Sequence, residues 1–404
     1  MTHRIPASLT PVGEWLAEVA DKVTLITDDH SFPTYQETFP HVYAVPRYSV
    51  NNAVELLLQE VCRQRPVTTL IHVTEDDILR CARVRDQFGI GGLRYQQAVA
   101  WRDKYEMKRL VAGHVPVPSF TVPRDVEHAL AFARDAGYPV VVKPRTGFAS
   151  RGVTVIADSG ELARRVAGWE DDDLLLEAFV DGPVFHMDGF TVDQELLYLS
   201  VSRYINDCLS FHESLPLGSV QLDRGSDDFR LAESFTKKVL RALPSAGFCP
   251  FHLEAFRRSD GELVFCEIAC RLGGAHVVQA LTYATGVNPA RLWVRHQAGL
   301  EDGPGAAKSL ADTDVRYGWL LIPPRPGKLL EVAEPPSLPF IKDFFVNTPV
   351  PSEFSGATGS VDSIMSFVVD GHDTADLTRN VLSCAQLASE LSRWEVREGG
   401  RPGA

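Results

Sequence analysis

The sequence lacks any apolar run of about 18 or more residues, which argues against a hydrophobic transmembrane helix. Residues 1–9 show no charged stretch followed by an apolar core, so no signal peptide is expected. No C-x-x-C pair occurs among the seven cysteines, at 62, 81, 208, 249, 266, 270 and 384. An odd number without paired spacing excludes a disulfide framework or zinc site and predicts reduced, mostly buried thiols in a cytoplasmic setting. No Lys/Arg block offsets the acidic balance: 40 basic against 53 acidic residues leave a formal charge of −13. Nucleic acid and anionic membrane are therefore excluded as main partners. Internal repeats and low-complexity tracts are also missing. What is present is 404 residues, 45% apolar and 23% charged, the composition of a globular protein with several packed units.

Strand and helix signals alternate through the first hundred residues. Residues 23–27 and 68–73 read as short buried strands. Residues 52–62 carry Val54, Leu57, Leu58 and Val61 at amphipathic-helix spacing, and 78–88 read as a helix stopped by Gly89. This predicts a small parallel α/β layer. Gly89-Ile90-Gly91-Gly92 ends a helix instead of opening one, so it carries no dinucleotide signal. Helices follow at 102–112 and 125–136, then a strand over 138–143 that delivers Lys143 to its end. A small-residue loop spans 146–152, with strands at 153–156 and 174–180 around a helix at 162–167. Residues 185–206 read as strand broken at Asp193-Gln194. A helix at 231–243 leads to a hairpin over 251–269, and a mixed segment from 311 ends in a helix at 375–394. Residues 399–404 are expected to be disordered.

The hairpin carries the chemistry. Asp260-Gly261 between two apolar runs predicts a two-residue type I′ turn, with Ser259 facing Glu262. Counting outward places Glu254 opposite Glu267, with Cβ atoms about 4.5–5.5 Å apart. Like charges at that spacing are destabilising unless neutralised, and hard oxygen ligands suit Mg²⁺ held with phosphate oxygens. Two solvated surface glutamates are the alternative, but Phe256, Phe265 and His252 on the same face are not a solvent-facing set. Arg271 and Gly273-Gly274 follow immediately, placing a guanidinium where it could clamp a carboxylate or a phosphorylated intermediate.

Lys143 with the loop 146–152 reads as a phosphate site, a point charge beside flexible backbone N–H groups. It is not a P-loop, which needs Gly-Lys-Ser/Thr opening a helix. Lys104 stands in the first turn of its helix. Glu177, a charge within the buried run 174–180, requires a partner: a structural ion pair or an adenine amino group.

In order, these stretches resemble the ATP-grasp superfamily, in particular its carboxylate–amine (L-amino acid/dipeptide) ligase branch. The resemblance rests on Asp103-Lys104 through Val115-Pro116-Val117-Pro118, on Tyr138-Pro139-Val140-Val141-Val142-Lys143-Pro144 and on Leu175-Leu176-Glu177-Ala178-Phe179-Val180-Asp181-Gly182. The Glu254/Glu267 hairpin, Arg271-Leu272-Gly273-Gly274 and Thr285-Gly286-Val287-Asn288-Pro289 complete it, over roughly residues 20–300. It implies an α/β (α+β) fold: an N-terminal parallel α/β domain at 1–100, an ATP-grasp domain at 101–300 with a lid at about 116–180, and a C-terminal α+β segment at 301–404 completing a central antiparallel sheet. By the same resemblance Lys104 and Lys143 contact ATP phosphates, and Ser150 belongs to the mobile lid loop. Glu177, Ala178 and Val180 form the adenine hinge, and Glu254 and Glu267 carry Mg²⁺ (or Mn²⁺). Arg271 is the catalytic group that stabilises an acyl phosphate or its tetrahedral successor.

The implied reaction joins a carboxylate to an amine through an acyl phosphate and releases ADP and phosphate. Its substrates are amino-acid-like small molecules, and a homodimer is compatible with the family. A ligase or carboxylase of nucleotide or other small-molecule metabolism is one alternative reading; a catalytically silent nucleotide-binding module is another. Two departures stand out. Ala269 occupies the place of an Asn found in many relatives, and His252, across from it, is an additional candidate for metal or phosphate contact. Gly182-Pro183-Val184 lacks an acidic ribose partner, leaving His186 or Asp188 nearby. Ala275 and His276 are the candidate substrate-pocket residues.

Overall fold

The first strand run forms Thr24–Thr27, paired in parallel with His41–Ala44. Thr2 bridges in parallel to both Ile26 and His72, which widens this layer. The computed structural model describes residues 1–169 and 173–395. The strand expected at 68–73 is reduced to that single bridge at His72. Side chains from elsewhere take its backbone groups: the Gln297 amide bonds both N–H and C=O of His72, and Arg85 donates to Leu70 O. Helices Ala53–Gln64 and Asp77–Phe88 flank the layer, the second ended by Gly89 at φ +67°.

A four-stranded antiparallel sheet follows, in the order Phe120–Thr121, Leu174–Ala178, Val140–Pro144, Thr154–Ile156. Helices Val126–Ala136 and Ser159–Ala167 cover it, burying Ala129, Ala133 and Leu162 against Val140, Val142 and Leu176.

The central sheet has eight antiparallel strands, ordered Leu263–Ala269, Phe248–Arg257, Val184–Val192, Glu195–Ile205, Leu217–Gln221, Arg316–Ile322, Met365–Gly371, Ile341–Val346. The polar break at Asp193-Gln194 is a tight turn, with both residues at positive φ. The last three strands of that order come from the C-terminal third, so chain beyond residue 301 completes this sheet. Helix Asp227–Ala242 packs Phe235 and Val239 into its largest core, beside Phe251, Leu253 and Phe265. Burying a side chain of that size contributes roughly 1.5–3 kcal/mol.

The C-terminal helix, expected to reach 394, stops at Leu391. Ser392–Trp394 instead pairs with Gly327–Val332, and Trp394 packs against Phe354 and under the Arg325 guanidinium. Tertiary contacts there override local helix propensity. The tail expected to be disordered, 399–404, lies outside the described residues. Among the described residues no helix is long and apolar enough to cross a membrane, and all seven cysteines are free.

Candidate active site

Glu254 pairs with Glu267, and His252 with Ala269, as expected; the turn that was to set this register is different. The loop is odd: Arg258 N–H donates to Glu262 O, three residues lie between, and of these only Gly261 has positive φ. Arg257 therefore faces Leu263, and Ala255 faces Phe265. A bulge at Cys266 then adds one residue and restores the Glu254–Glu267 pair. Two offsets of one residue cancel.

Two cavities meet at this pair. One, of about 190 Å³, is lined by Lys104, Lys143, Ser150, Glu177, Ala178 and Val180 together with both glutamates. The other, of about 510 Å³, shares Ser150, Glu254 and Glu267 and adds Glu75, His252, Arg271, Ala275 and His276. Every candidate residue named from the sequence thus faces one of two connected spaces. The exceptions are the two ribose candidates. His186 and Asp188 line neither; they are buried and bonded to each other at 2.6 Å.

On the first side, Asp103 caps helix Lys104–Val111 by accepting from Tyr105 N and Glu106 N, which fixes the helix start beside the loop 146–152. Lys104 Nζ donates to Gly147 O (2.7 Å) and lies 3.1 Å from Glu267 Oε2. Arg102 donates to the carbonyls of Thr146 and Gly147. The base of the loop is tied down, while Ala149 and Ser150 beyond it take left-handed backbone conformations. Lys143 Nζ is 2.9 Å from Glu177 Oε2, and Lys108 Nζ is 3.3 Å from Oε1. Of the two readings of Glu177, the ion pair is the one present. Burial opposes both ammonium charges. At Lys143 the closer Glu177 carboxylate wins and raises the pKa; at Lys108 desolvation wins and lowers it.

On the other side, Arg271 pairs with Glu75 through Nε and Nη2, both at 2.6 Å. Gly273 is required where it stands: a Cβ there would lie 2.6 Å from Asp188 Oδ1. Tyr204 donates to Glu254 Oε1 at 2.8 Å. His252 Nδ1 is 2.8 Å from Asp188 Oδ1, and its Nε2 is 3.4 Å from Glu254 Oε1. Burial disfavours the imidazolium, but Asp188 overrides it and raises the pKa to about 10. His252 is thus a charged partner of Asp188 and stands in ion-pair range of Glu254. His276 stacks on Phe345 and bonds Ser366 Oγ through Nε2 (2.7 Å), with burial lowering its pKa to about 4.

Burial opposes the charge of Glu267, yet Lys104, Lys143 and Arg271 hold its carboxyl below the ordinary range. The contacts of Glu254 and Glu267 fall on Oε1 and Oε2 respectively, leaving the second oxygen of each to a hard cation. The donor set fits Mg²⁺.

Residues 103–184 match the family model described as "Carbamoyl-phosphate synthase L chain, ATP binding domain". Over nearly its whole length the chain superposes on an L-amino acid ligase from Bacillus licheniformis, with a TM-score of 0.73, 17% identity and coverage of 96% of this chain and 95% of that one. The fold is that of ATP-grasp enzymes, and the family match lies within residues 103–184. In sequence, the chain is 28% identical over 264 residues to the L-arginine-specific L-amino acid ligase of Bacillus subtilis. That match spans 63% of the chain and 63% of the relative's own length. The biotin carboxylase domain of the Hydrogenobacter thermophilus 2-oxoglutarate carboxylase, a dimer in complex with MgADP, aligns with a TM-score of 0.65 at 16% identity, over 95% of this chain and 88% of that one.

The sequence reading missed Glu75, Lys108 and Tyr204, which the structure brings against the candidate residues. Glu75 had a signal: the acidic run Glu75-Asp76-Asp77 directly follows the strand-like stretch 68–73, where α/β layers place ligand contacts. Lys108 and Tyr204 had none. Burial raises the Glu75 pKa, but Arg271, Arg102 and Lys104 outweigh it and the net shift is downward from 4.5. Its contribution to stability is therefore complete above the ordinary carboxylate range and is lost as pH falls through the lower folded-state value. Glu75→Gln is expected to lower neutral-pH stability by about 1–3 kcal/mol. In melting curves from pH 7 down to pH 3 the gap to wild type narrows; a constant gap would refute this.

Proposed function

We propose that the chain is an ATP-dependent carboxylate–amine ligase of amino-acid-like substrates, forming an amide or peptide bond and releasing ADP and phosphate. The observation that carries this reading is the meeting of the two cavities at Glu254 and Glu267, with Lys104 and Lys143 on one side and Arg271 on the other. The likeness to the L-arginine-specific L-amino acid ligase of Bacillus subtilis supports the substrate class.

In this reading Ala178, Val180 and the exposed Phe179 receive the base, and the sheet and loops of about 116–180 act as the lid. Lys104 and Lys143 supply point charge to the phosphates. Glu254 and Glu267 would hold Mg²⁺, which would supply positive charge to the phosphate oxygens. Tyr204 fixes the Glu254 carboxylate by a hydrogen bond, and His252 pairs with it electrostatically. The substrate carboxylate takes the γ-phosphoryl group, leaving ADP. The amine then attacks the acyl carbon, forming the C–N bond and expelling phosphate. Arg271 offers a fixed cation to the oxygen charge that develops in both steps, and Glu75 is the positioning residue that holds it. Free thiols throughout suit a reducing, cytoplasmic setting. A homodimer is the assembly proposed, by analogy with the dimer named for the Hydrogenobacter domain, and light scattering tests it.

The functional test is phosphate release from Mg-ATP across a panel of amino acids, alone and in pairs. Release that requires an added amino acid, with a dipeptide or amide found by mass spectrometry, is the expected result. Release indifferent to any added carboxylate would sink the ligase reading.

A further inference from the structure

A third cavity, of about 270 Å³, lies between the N-terminal layer, the start of strand Phe248–Arg257 and helix Pro289–Gln297. None of its lining residues lines the two cavities at Glu254 and Glu267. Arg85 faces into it and is only 4% exposed. Its Nη2 donates to Leu70 O (2.6 Å) and is 3.1 Å from His72 Nδ1, while Nε and Nη1 are buried with no partner. Among the described residues no carboxylate pairs with it. Its helix neighbours are matched: Arg80 with Asp77, and Arg83 with Glu55. The adjacent Asp86 is engaged by Arg94. A buried guanidinium without a counter-charge is costly, and a carboxylate beside it would balance that charge.

The remaining walls define the ligand's other features. Phe248 and Trp293 meet edge to face at 6.0 Å, Trp293 stacks on His296, and Cys249 and Cys270 are neutral thiols, their pKa values raised by burial. Burial, and then Arg85, push the His72 pKa well below its usual value, so His72 is neutral and accepts from Arg85 through Nδ1. The cavity therefore offers one positive charge, which a monoanion balances and a phosphate dianion exceeds. Its volume of about 270 Å³ leaves room for an organic body beside the guanidinium. At the rim, Gly91 and Gly92 are exposed; a Cβ on Gly92 would lie 2.9 Å from Arg85 Nε, whereas one on Gly91 meets nothing within 4 Å.

We propose that this cavity is a binding site for a small organic carboxylate, held by Arg85 with its apolar body against Phe248 and Trp293. The site is separate from the proposed ligase centre and stands whether or not the ligase reading does. It is nonetheless adjacent to it in the chain, since Cys270 in its wall precedes Arg271.

Titration calorimetry on the full chain tests the site, with isovalerate as probe, isovaleramide as its neutral isostere, and inorganic phosphate as the competing anion. Saturable isovalerate binding is expected, at least tenfold tighter than either of the other two. Arg85→Met should weaken it at least tenfold, and Glu267→Gln should leave it in place, which separates it from binding in the ligase cleft. Gly91→Phe, placed at the rim with Arg85 intact, should block entry and carries the test if Arg85→Met does not fold by circular dichroism. Absence of saturable binding overturns the proposal. So does binding that survives folded Arg85→Met or Gly91→Phe, binding lost in Glu267→Gln, or a preference for phosphate or the amide.

Discussion

Glu267→Gln is expected to lower turnover on the order of 10³-fold while leaving a folded protein. The carboxylate faces Glu254 across the hairpin, lies 3.1 Å from Lys104 and is held ionised by Lys104, Lys143 and Arg271. Glutamine keeps the shape and one acceptor but removes the negative charge on which both cation binding and the placement of Lys104 depend. The loss should fall on kcat, because the substrate cavity is otherwise unchanged. The apparent Mg²⁺ requirement should also rise, since Glu254 alone would remain as a carboxylate donor. Steady-state kinetics over a Mg²⁺ series, with a melting curve as control, provides the measurement. Turnover within tenfold of wild type at ordinary Mg²⁺ would remove Glu267 from the proposed metal site.

Glu177→Leu is expected to have the largest effect on stability, a loss of about 3–5 kcal/mol. Glu177 is buried and is the carboxylate shared by Lys143 and Lys108. Without it, the fully buried Lys108 keeps only the Phe265 and Cys266 carbonyls and the face of the Phe265 ring. Neutral acceptors do not replace a counter-charge in a water-excluded site. The double variant Glu177→Leu/Lys108→Met should recover much of the loss, because an apolar side chain of similar length removes the uncompensated charge. Lys143, at the cleft, can turn toward water. Denaturant unfolding of wild type, both single variants and the double variant gives the coupling. A single Glu177→Leu variant as stable as wild type would show that the pairing contributes nothing.

How much of the site was legible depends on whether the signal was local. Lys143 at a strand end, the loop 146–152 and the paired glutamates each follow from short-range pattern, and each lies where that pattern puts it. The hairpin shows the limit. Counting from Asp260-Gly261 reaches the correct pair only because an odd loop and the bulge at Cys266 offset one another. A bulge has no reliable mark in sequence, since it is set by packing on both faces of the sheet. The stretch 68–73 shows the same limit for a whole element: its apolar, β-branched pattern is that of a strand. Beyond the Thr2 N–H bond to Ile71 O, its hydrogen bonds nevertheless include the side chains of Arg85 and Gln297, the latter 225 residues away from His72 in the chain.

The sequence alone determined most of the element order between residues 102 and 269, the net charge of −13 without a Lys/Arg block, the absence of paired cysteine spacing and the residue types that gather at the cleft. Those properties depend on composition and on contacts a few residues apart, where periodicity, turn chemistry and charge act directly. The tertiary structure decided the pairing of charges. It gave Glu75 to Arg271, Lys108 to Glu177 and Asp188 to His252, and left Arg85 with no carboxylate among the described residues. Each depends on which distant side chains are brought together out of water, and the energy of a charge is set by that company and by its burial, neither of which is written at the residue itself.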